Sequence, residues 1–227
     1  MILPRSFYTR DALVVARALI GARIVSGGRV ARIVETEAYR GPKDLACHAR
    51  FGETPRTKAI FGPPGTGYVF LVYGMHELFN VVCKAEGSGH AVLIRAAEAI
   101  GWDGRLEGPG KLTRELAITR AHNGCIVHAK DAEIRLLSRV GRPKIATRAR
   151  VGVGYAGEWA DMPWRFFDSR SDCVSRPPKS AIGQGAKATD ERSPVPARRL
   201  ERRARARCLF LRPVTSSSSR ASRTHSL

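Results

Sequence analysis

The amino-acid sequence predicts an α+β fold, a single domain in which helices flank a curved, mostly antiparallel β-sheet. Strand-like runs outnumber helical ones, and they lack the regular strand–helix alternation that a doubly wound parallel sheet requires. Composition also changes along the 227 residues, because apolar runs, aromatics and Gly and Pro punctuation are mixed only up to about residue 176. We therefore expect a folded domain over residues 1–176 and a disordered basic tail over residues 177–227.

The first predicted elements are a helix and a β-hairpin. Residues 9–20 place apolar side chains at helical spacing, with Thr9 as the N-cap and a glycine as the stop signal. Residues 22–25 and 29–37 have strand character on either side of a Ser-Gly-Gly turn, a pattern typical of a hairpin. This assignment places Glu37 near the far end of the second strand.

Later segments supply the rest of the predicted sheet and a second helix. Apolar and β-branched runs predict strands at residues 68–73, 91–95 and 150–155, and residues 111–118 are predicted to form a helix. In the tail we expect at most a short helix at residues 198–207, because too few apolar side chains are present to offset the entropy of ordering.

The second hairpin strand carries two glutamates with two competing interpretations. Alternation along a strand points Ile33, Glu35, Glu37 and Tyr39 to the same face. An acid between an apolar residue and an aromatic ring, with His48 close in sequence, is typical of a general base beside an aromatic wall. A half-exposed edge strand whose glutamates pair with arginines fits the same pattern. The strand alone leaves both interpretations open.

The charge balance predicts a polyanionic partner. The chain has 39 Lys and Arg against 20 Asp and Glu, a net charge of +19 and a pI near 10.8, and 31 of the 39 basic residues are arginine. The planar guanidinium fork binds phosphate oxygens in pairs, which favours nucleic acid. Twelve basic and three acidic residues give the tail a charge of +9, so +10 remains on residues 1–176.

Anionic membranes are the competing polyanion, but the sequence shows no run of about 18 apolar residues and no signal-peptide pattern. We therefore expect an intracellular protein, cytoplasmic or associated with the nucleoid, that does not use a membrane. We also expect a monomer. The five cysteines form no C-x-x-C pair, so neither a disulfide framework nor a zinc site is predicted. Cys47 beside His48 is interpreted as a small core or surface residue rather than a nucleophile, because neighbours on an extended chain point apart.

Two glycine-rich segments resemble phosphate sites. Residues 62–67 lack the Lys-Ser/Thr pair of a phosphate loop and precede a strand where such a loop needs a helix. Residues 108–112 open the second predicted helix, so backbone amides together with Lys111 could hold one phosphate of a nucleic-acid backbone. A turn that only caps the helix is an equally good interpretation.

Seven short blocks, in a fixed order, carry the most specific signal in the chain. They are Glu35-Thr-Glu-Ala-Tyr39 with Gly41-Pro42 and His48, Thr54-Pro-Arg56, Phe61-Gly-Pro-Pro-Gly65, Tyr73-Gly-Met-His76 with Asn80, Val92-Leu-Ile-Arg95, Gly108-Pro-Gly-Lys-Leu112 and Arg150-Val-Gly-Val-Gly-Tyr-Ala-Gly157. Together they resemble the alkyladenine (3-methylpurine) DNA glycosylase family over about residues 5–176.

The resemblance implies a DNA repair enzyme. Such enzymes hydrolyse the N-glycosidic bond of alkylated or deaminated purines in double-stranded DNA, with water as the nucleophile and without a cofactor or metal ion. The damaged nucleotide has to be flipped out of the duplex, and an abasic site is left. The resemblance further implies that Glu37 is the general base and that Arg95 helps to hold the water. Both roles come from the resemblance, since the strand pattern leaves them open.

The resemblance also implies a base pocket and a set of duplex contacts. Tyr39 and Phe70 would sandwich the flipped base, whose electron-poor ring stacks well on aromatic walls. His48 would hydrogen-bond the edge of the base or the adjoining backbone, Leu93 would line the same pocket, and Asn80 would crowd the amino group of guanine. The duplex contacts are a wedge made of Tyr73 and Met75 and backbone contacts by Arg56 and Lys111.

The sequence differs from the family at two positions, and two other functions are compatible with it. Phe70 stands where the family usually has tyrosine, so a hydroxyl is lost while stacking is kept, and Thr57 stands where asparagine is common. The main alternative is a non-catalytic, sequence-independent DNA-binding protein of the same fold, which would be expected to have lost the constellation around Glu37. A further alternative, an RNA- or ribosome-binding role, draws only on the tail.

Overall fold

The computed structural model describes residues 1–175, which form three α-helices and eight β-strands. Their order is α1 (Arg5–Tyr8), α2 (Ala12–Leu19), β1 (Arg23–Ser26), β2 (Arg29–Arg40), β3 (Gly67–Val72), β4 (His76–Cys83), β5 (His90–Ala99), α3 (Pro109–Glu115), β6 (Arg135–Leu137), β7 (Ile145–Arg148) and β8 (Arg165–Asp168). None of these helices is long and apolar enough to cross a membrane.

The strands form one antiparallel sheet. Its main path is β3-β4-β5-β2-β1-β6, and β8 pairs with both β2 and β7. Every strand pair is antiparallel. The predicted α+β fold is therefore confirmed for the part of the chain that the structure describes. The predicted tail at residues 177–227 and its short helix at residues 198–207 lie outside the described residues.

Strand β2 is central to the sheet and carries both glutamates. It pairs with β5 along one edge and with β1 and then β8 along the other. Register shifts on both sides of Glu35 mark an irregularity of the β-bulge type, which bends the strand and helps the sheet to curl. Glu35 and Glu37 are fully buried, so the edge-strand interpretation is wrong. The pairing with arginines that this interpretation included is confirmed, because both glutamates form ion pairs with arginine.

The helices pack on the sheet and leave one face of β2 for the glutamates. Helix α2 packs against β2 and β5, and α3 packs against β4 and β5. The hydroxyl of Thr36, the residue between the two glutamates, donates a 3.0 Å hydrogen bond to the carbonyl of Ala16 in α2. Since successive side chains of a strand point to opposite faces, α2 covers the face away from Glu37.

The start of the first long helix differs from the sequence prediction. Asp11, not Thr9, is the N-cap of α2, and its carboxylate accepts from the backbone amide of Leu13 at 3.0 Å. Thr9 instead ends the short helix α1, where its hydroxyl donates to the carbonyl of Ser6. The prediction was wrong because α1, which puts Tyr8 into the core, uses the residues expected to lead into the longer helix.

The predicted hairpin of β1 and β2 is confirmed and extends to Arg40. Its turn uses Gly27 and Gly28, both with positive φ, the conformation of a type I′ turn that suits the twist of the strands. The predicted strand at residues 91–95 is the central part of β5, and the predicted second helix overlaps α3.

One predicted strand is absent, and another ends earlier than predicted. Residues 150–155 form no strand but a loop followed by 3₁₀ turns, because Gly152 adopts a positive φ and the side chain of Arg150 is buried beneath β2. Strand β3 ends at Val72, so Tyr73 lies in the turn to β4. The sequence reading also missed β4, β6, β7 and β8, which are mostly short or interrupted by polar residues.

Candidate active site

A cavity of about 280 Å³ opens on the sheet face that carries Glu37. Six of the residues predicted for the pocket or for catalysis line it, and the wedge residue Tyr73 lies at its rim. These six are Tyr39, His48, Phe70, Asn80, Leu93 and Arg95. A cavity of this size lies close to the lower limit of typical small-ligand sites.

Strand pairing explains why these residues meet. Tyr68, Asn80, Leu93 and Glu37 are direct cross-strand neighbours on β3, β4, β5 and β2. Neighbours across a sheet share a face, and side chains two apart along each strand share it too. Phe70, Arg95 and Tyr39 each lie two residues beyond a member of this row, so the same face collects all seven.

Glu37 lies directly behind the cavity wall and is itself fully buried. One carboxylate oxygen, Oε1, accepts from the backbone amide of Val151 at 2.7 Å. The other, Oε2, accepts from the Tyr39 hydroxyl at 3.0 Å and from Arg95 Nη1 at 3.4 Å. All three donors line the cavity. A carboxylate has about four acceptor positions, so one position on Oε1 is left for a further donor.

Glu35 forms the adjacent part of the same charge network. Its Oε1 lies 3.0 Å from Arg95 Nε and 2.8 Å from Arg165 Nε. Ser175 supplies two further hydrogen bonds to this carboxylate, because its backbone amide and its hydroxyl each donate to Glu35 at 2.7 Å. Glu35 therefore fixes Arg95, whose Nη1 reaches Glu37.

An aromatic cluster forms the wall on the β3 side. The rings of His48 and Phe70 meet edge to face with centroids 4.4 Å apart, and Tyr68 lies 5.3 Å from Phe70. The Tyr68 hydroxyl is 3.0 Å from His48 Nδ1. Burial raises the pKa of Tyr68 to about 12, so its hydroxyl keeps its proton. Burial and the nearby charges of Arg56 and Arg50 lower the pKa of His48, which favours the neutral imidazole.

Tyr39 is fixed from two sides. Its hydroxyl bonds Glu37, and the guanidinium of Arg150 lies 4.8 Å from its ring centroid. Burial, followed by the negative charge of Glu37, raises the pKa of Tyr39 well above its ordinary value. Tyr39 is therefore a neutral hydroxyl donor to the carboxylate.

Two predicted wedge residues are exposed at the tip of the β3–β4 hairpin. Tyr73 is 90% exposed and Met75 is 71% exposed, which excludes a core role for either side chain. Tyr73 has φ of 51°, a left-handed conformation that costs a non-glycine residue roughly 1–2 kcal/mol. A large ring held outside the protein by such a turn, beside a cavity, is suited to contact with another molecule.

The two predicted DNA-backbone residues do not line the cavity. Arg56 is exposed and reaches the carbonyl of Leu71 in β3 at 3.5 Å. Lys111, in the first turn of α3, lies 3.4 Å from Glu107. Gly108 has φ of 118° and caps α3, as the turn interpretation of this segment expected.

Cys47 is buried beside the cavity, and burial raises the pKa of its thiol to about 11. The thiol is therefore protonated near neutral pH, and its Sγ lies 3.6 Å from the carbonyl of Gly89. Within residues 1–175, His, Cys, Asp and Glu side chains form no group of three that could hold a metal ion.

Comparison with known proteins assigns the chain to a family. A family model described as methylpurine-DNA glycosylase (MPG) matches residues 6–172. The chain belongs to this family. Several curated relatives are named "Putative 3-methyladenine DNA glycosylase". The Myxococcus xanthus relative is 50% identical over 185 residues, 78% of this chain and 94% of its own length.

Two further relatives have the same name. The protein from Anaeromyxobacter dehalogenans is 51% identical over 189 residues, 80% of this chain and 89% of its own length. The protein from Methanocella arvoryzae is 46% identical over 193 residues, 77% of this chain and 96% of its own length. The predicted resemblance to a DNA glycosylase family is therefore confirmed, and with it a place in DNA repair.

Sequence reasoning missed several residues of the site. Tyr68 could have been found, because it shares a strand face with Phe70. Val151 was assigned to a strand, so its amide bond to Glu37 was not expected. Arg165 and Ser175 lie far along the chain in segments without a motif, and only the fold brings them to Glu35.

Proposed function

We propose that this protein excises alkylated or deaminated purines of the 3-methyladenine class from double-stranded DNA. The damaged nucleotide enters the cavity after leaving the base stack, and water hydrolyses its N-glycosidic bond without a covalent enzyme intermediate. The product is an abasic site, and no cofactor takes part. The relatives' names, which state a 3-methyladenine DNA glycosylase, support the bond that is cut and one member of the substrate class.

The buried Glu37 carboxylate carries the proposal. It has three donors from the cavity wall and one acceptor position unused, and we assign the attacking water to that position. Glu37 takes a proton from that water as it attacks the sugar carbon, and Arg95 holds the water and balances the carboxylate charge. Because Glu35 binds Arg95 Nε, the guanidinium stays in place while the proton moves.

The aromatic walls select the base. Tyr39 and Phe70 stack on its faces, and a cationic or electron-poor purine gains more from these rings than a normal purine. The Tyr68 hydroxyl is hydrogen-bonded to Nδ1 of neutral His48; in the tautomer in which Tyr68 donates, the Nε2 proton is available for the base edge or the adjoining backbone. Asn80, which lines the cavity as the cross-strand neighbour of Leu93, rejects a guanine amino group in this proposal.

The exposed hairpin tip supports a duplex substrate. Tyr73 inserts into the stack where the nucleotide has left, and Met75 supports it. Arg56 and Lys111 contact phosphates on either side of the site, in keeping with the net charge of +19. A non-catalytic DNA-binding role would need the wedge and the basic surface but would give no reason to retain Glu37 and its donors.

The decisive experiment is single-turnover excision by Glu37→Gln. The substitution keeps the shape of the side chain and removes the base, so the excision rate should fall at least about 10²-fold while binding to damaged duplex persists. The measurement uses duplex oligonucleotides with hypoxanthine, ethenoadenine or 7-methylguanine at saturating enzyme.

The matched control is Glu98→Gln on strand β5, a carboxylate that pairs with Arg32 outside the cavity. This variant should excise at the rate of the unsubstituted protein. Excision by Glu37→Gln at a near-normal rate would eliminate Glu37 as the base, and binding without excision by the unsubstituted protein would favour the non-catalytic alternative.

A further inference from the structure

The buried ion pair between Asp44 and Arg150 has no part in the chemistry proposed above. Both side chains are fully buried, and the pair is bidentate, with Arg150 Nη1 2.6 Å from one carboxylate oxygen and Nη2 2.9 Å from the other. Burying two charges is costly, and a hydrophobic pair of similar size is often at least as stabilising. A purely structural need therefore gives a weak reason for this pair.

The pair joins the three segments that surround Glu37 and Tyr39. Besides Asp44, the Arg150 guanidinium donates to the carbonyl of Ala38 in β2 at 3.0 Å and to the carbonyl of Trp159 at 3.1 Å. Asp44 in turn accepts from the backbone amides of Arg40 and Ala46 at 3.1 and 3.0 Å. Strand β2, the loop that leads to His48 and the loop at residues 150–159 are thereby held together.

The residue after Arg150 makes the shortest hydrogen bond to Glu37. The Val151 amide donates to Oε1 at 2.7 Å, on the oxygen that keeps a free acceptor position. The same guanidinium lies 4.8 Å from the ring centroid of Tyr39, whose hydroxyl bonds Oε2. Both carboxylate oxygens are thus oriented by groups that Arg150 holds.

We propose that Arg150, fixed by Asp44, is a positioning residue for the hydrolytic step. It sets the Val151 amide and the Tyr39 hydroxyl against Glu37, and so aims the free position of Oε1 at the cavity. This inference rests on the proposed role of Glu37 as general base. Arg150 acts through Glu37 and does not touch the substrate.

The test is a double-mutant cycle on the excision rate. Arg150→Lys keeps the charge opposite Asp44 but loses the planar fork, so the loop at Val151 is no longer held at two points. Because small misplacements of catalytic groups slow reactions strongly, single-turnover excision of hypoxanthine should fall by about tenfold or more. In a Glu37→Gln background the same substitution should change the residual rate by less than about twofold, since coupled residues are not additive.

The Asp168–Arg32 pair supplies a matched control. Asp168 is also buried, pairs with an arginine at 3.0 Å and accepts from two backbone amides, those of Lys144 and Arg170, but it lies outside the cavity. Asp168→Asn should lower the melting temperature about as much as Asp44→Asn while leaving the excision rate unchanged. Asp44→Asn should slow excision as Arg150→Lys does, which also covers the case in which Arg150→Lys does not fold.

Equal fractional slowing by Arg150→Lys in both backgrounds, or slowing by Asp168→Asn as large as that by Asp44→Asn, would overturn the positioning role. Either result would show that the pair only supports folding. A failure of the unsubstituted protein to excise would instead overturn the proposed function.

Discussion

Phe70 lacks the hydroxyl group that a tyrosine would bring to the cavity wall. Its ring contacts His48 edge to face and lines the cavity, whereas the resemblance to the family implies a tyrosine at this position. The wall is therefore a stacking surface without a hydroxyl. Any hydrogen bond on this side has to come from Tyr68 and His48, which already bond each other.

Phe70→Ala should weaken retention of the flipped base by about 1–3 kcal/mol, the usual worth of one base stacked on an aromatic ring. The fluorescence of ethenoadenine in duplex DNA measures the flipped fraction, and it should fall in this variant. Phe70→Tyr is the control, because it preserves the ring and should retain flipping. A Phe70→Ala variant that flips as well as the unsubstituted protein would show that the ring is only part of the core.

Glu35 and Glu37 differ in what their replacement would reveal. Glu35 binds two arginines and Ser175, so Glu35→Gln would leave buried charge poorly compensated. Loss of excision by that variant would therefore report a displaced Arg95 or partial unfolding. Glu37→Gln removes one ion-pair partner of Arg95 while Glu35 remains, so it tests the chemistry more directly.

The β3–β4 hairpin carries both cavity residues and exposed residues. Its strands place Phe70, Leu78 and Asn80 on the cavity, and its turn presents Tyr73 and Met75 to solvent. One element thus carries both a wall of the cavity and the proposed wedge, and their spacing is fixed by the antiparallel register.

Tyr73→Ala should make flipping from an intact duplex harder by a few kcal/mol, because nothing fills the gap in the stack. The measurement is excision of hypoxanthine from a fully paired duplex and from a duplex with a gap opposite the lesion. The defect should be smaller with the gapped substrate, where less stacking is lost on flipping. Equal defects on both substrates would argue against a wedge.

At the scale of the whole molecule, the net charge extends well beyond the residues that line the cavity. Removing residues 177–227 lowers the net charge from +19 to +10, although every residue assigned to the cavity lies before residue 177. Phosphate contacts release counterions and make binding depend steeply on salt. The tail should therefore contribute to non-specific DNA affinity and not to bond cleavage.

Truncation after Arg176 should leave single-turnover excision at saturating enzyme unchanged, weaken binding to undamaged duplex and flatten the slope of log K against log salt.

Truncation after Val174 is the sharper comparison, because it also removes Ser175 and with it two hydrogen-bond donors to buried Glu35. Each acceptor left without a donor costs about 1–3 kcal/mol of stability. Slow excision by the protein truncated after Arg176 would show that the predicted boundary at residue 176 is wrong.

Much of the site follows from strand periodicity and the ordered blocks. Alternation places Glu37 with Tyr39 on one face, and the Gly27-Gly28 turn fixes where β2 begins, because few other residues adopt positive φ at both positions. The family resemblance added roles for Arg95, Asn80 and Tyr73. These predictions depend on local chemistry or on motifs that a single strand or turn carries.

Only the tertiary structure decided which distant groups bind the carboxylates of Glu35 and Glu37. Val151, Arg165 and Ser175 lie more than 100 residues from the glutamates they bind, in a loop, a short strand and the end of the described chain. Such contacts have no local signal, because a backbone amide or a lone serine is common and its partner is chosen by strand pairing. The buried ion pair of Asp44 and Arg150 arises in the same way, since burial and bidentate geometry are properties of the packed molecule and not of either segment.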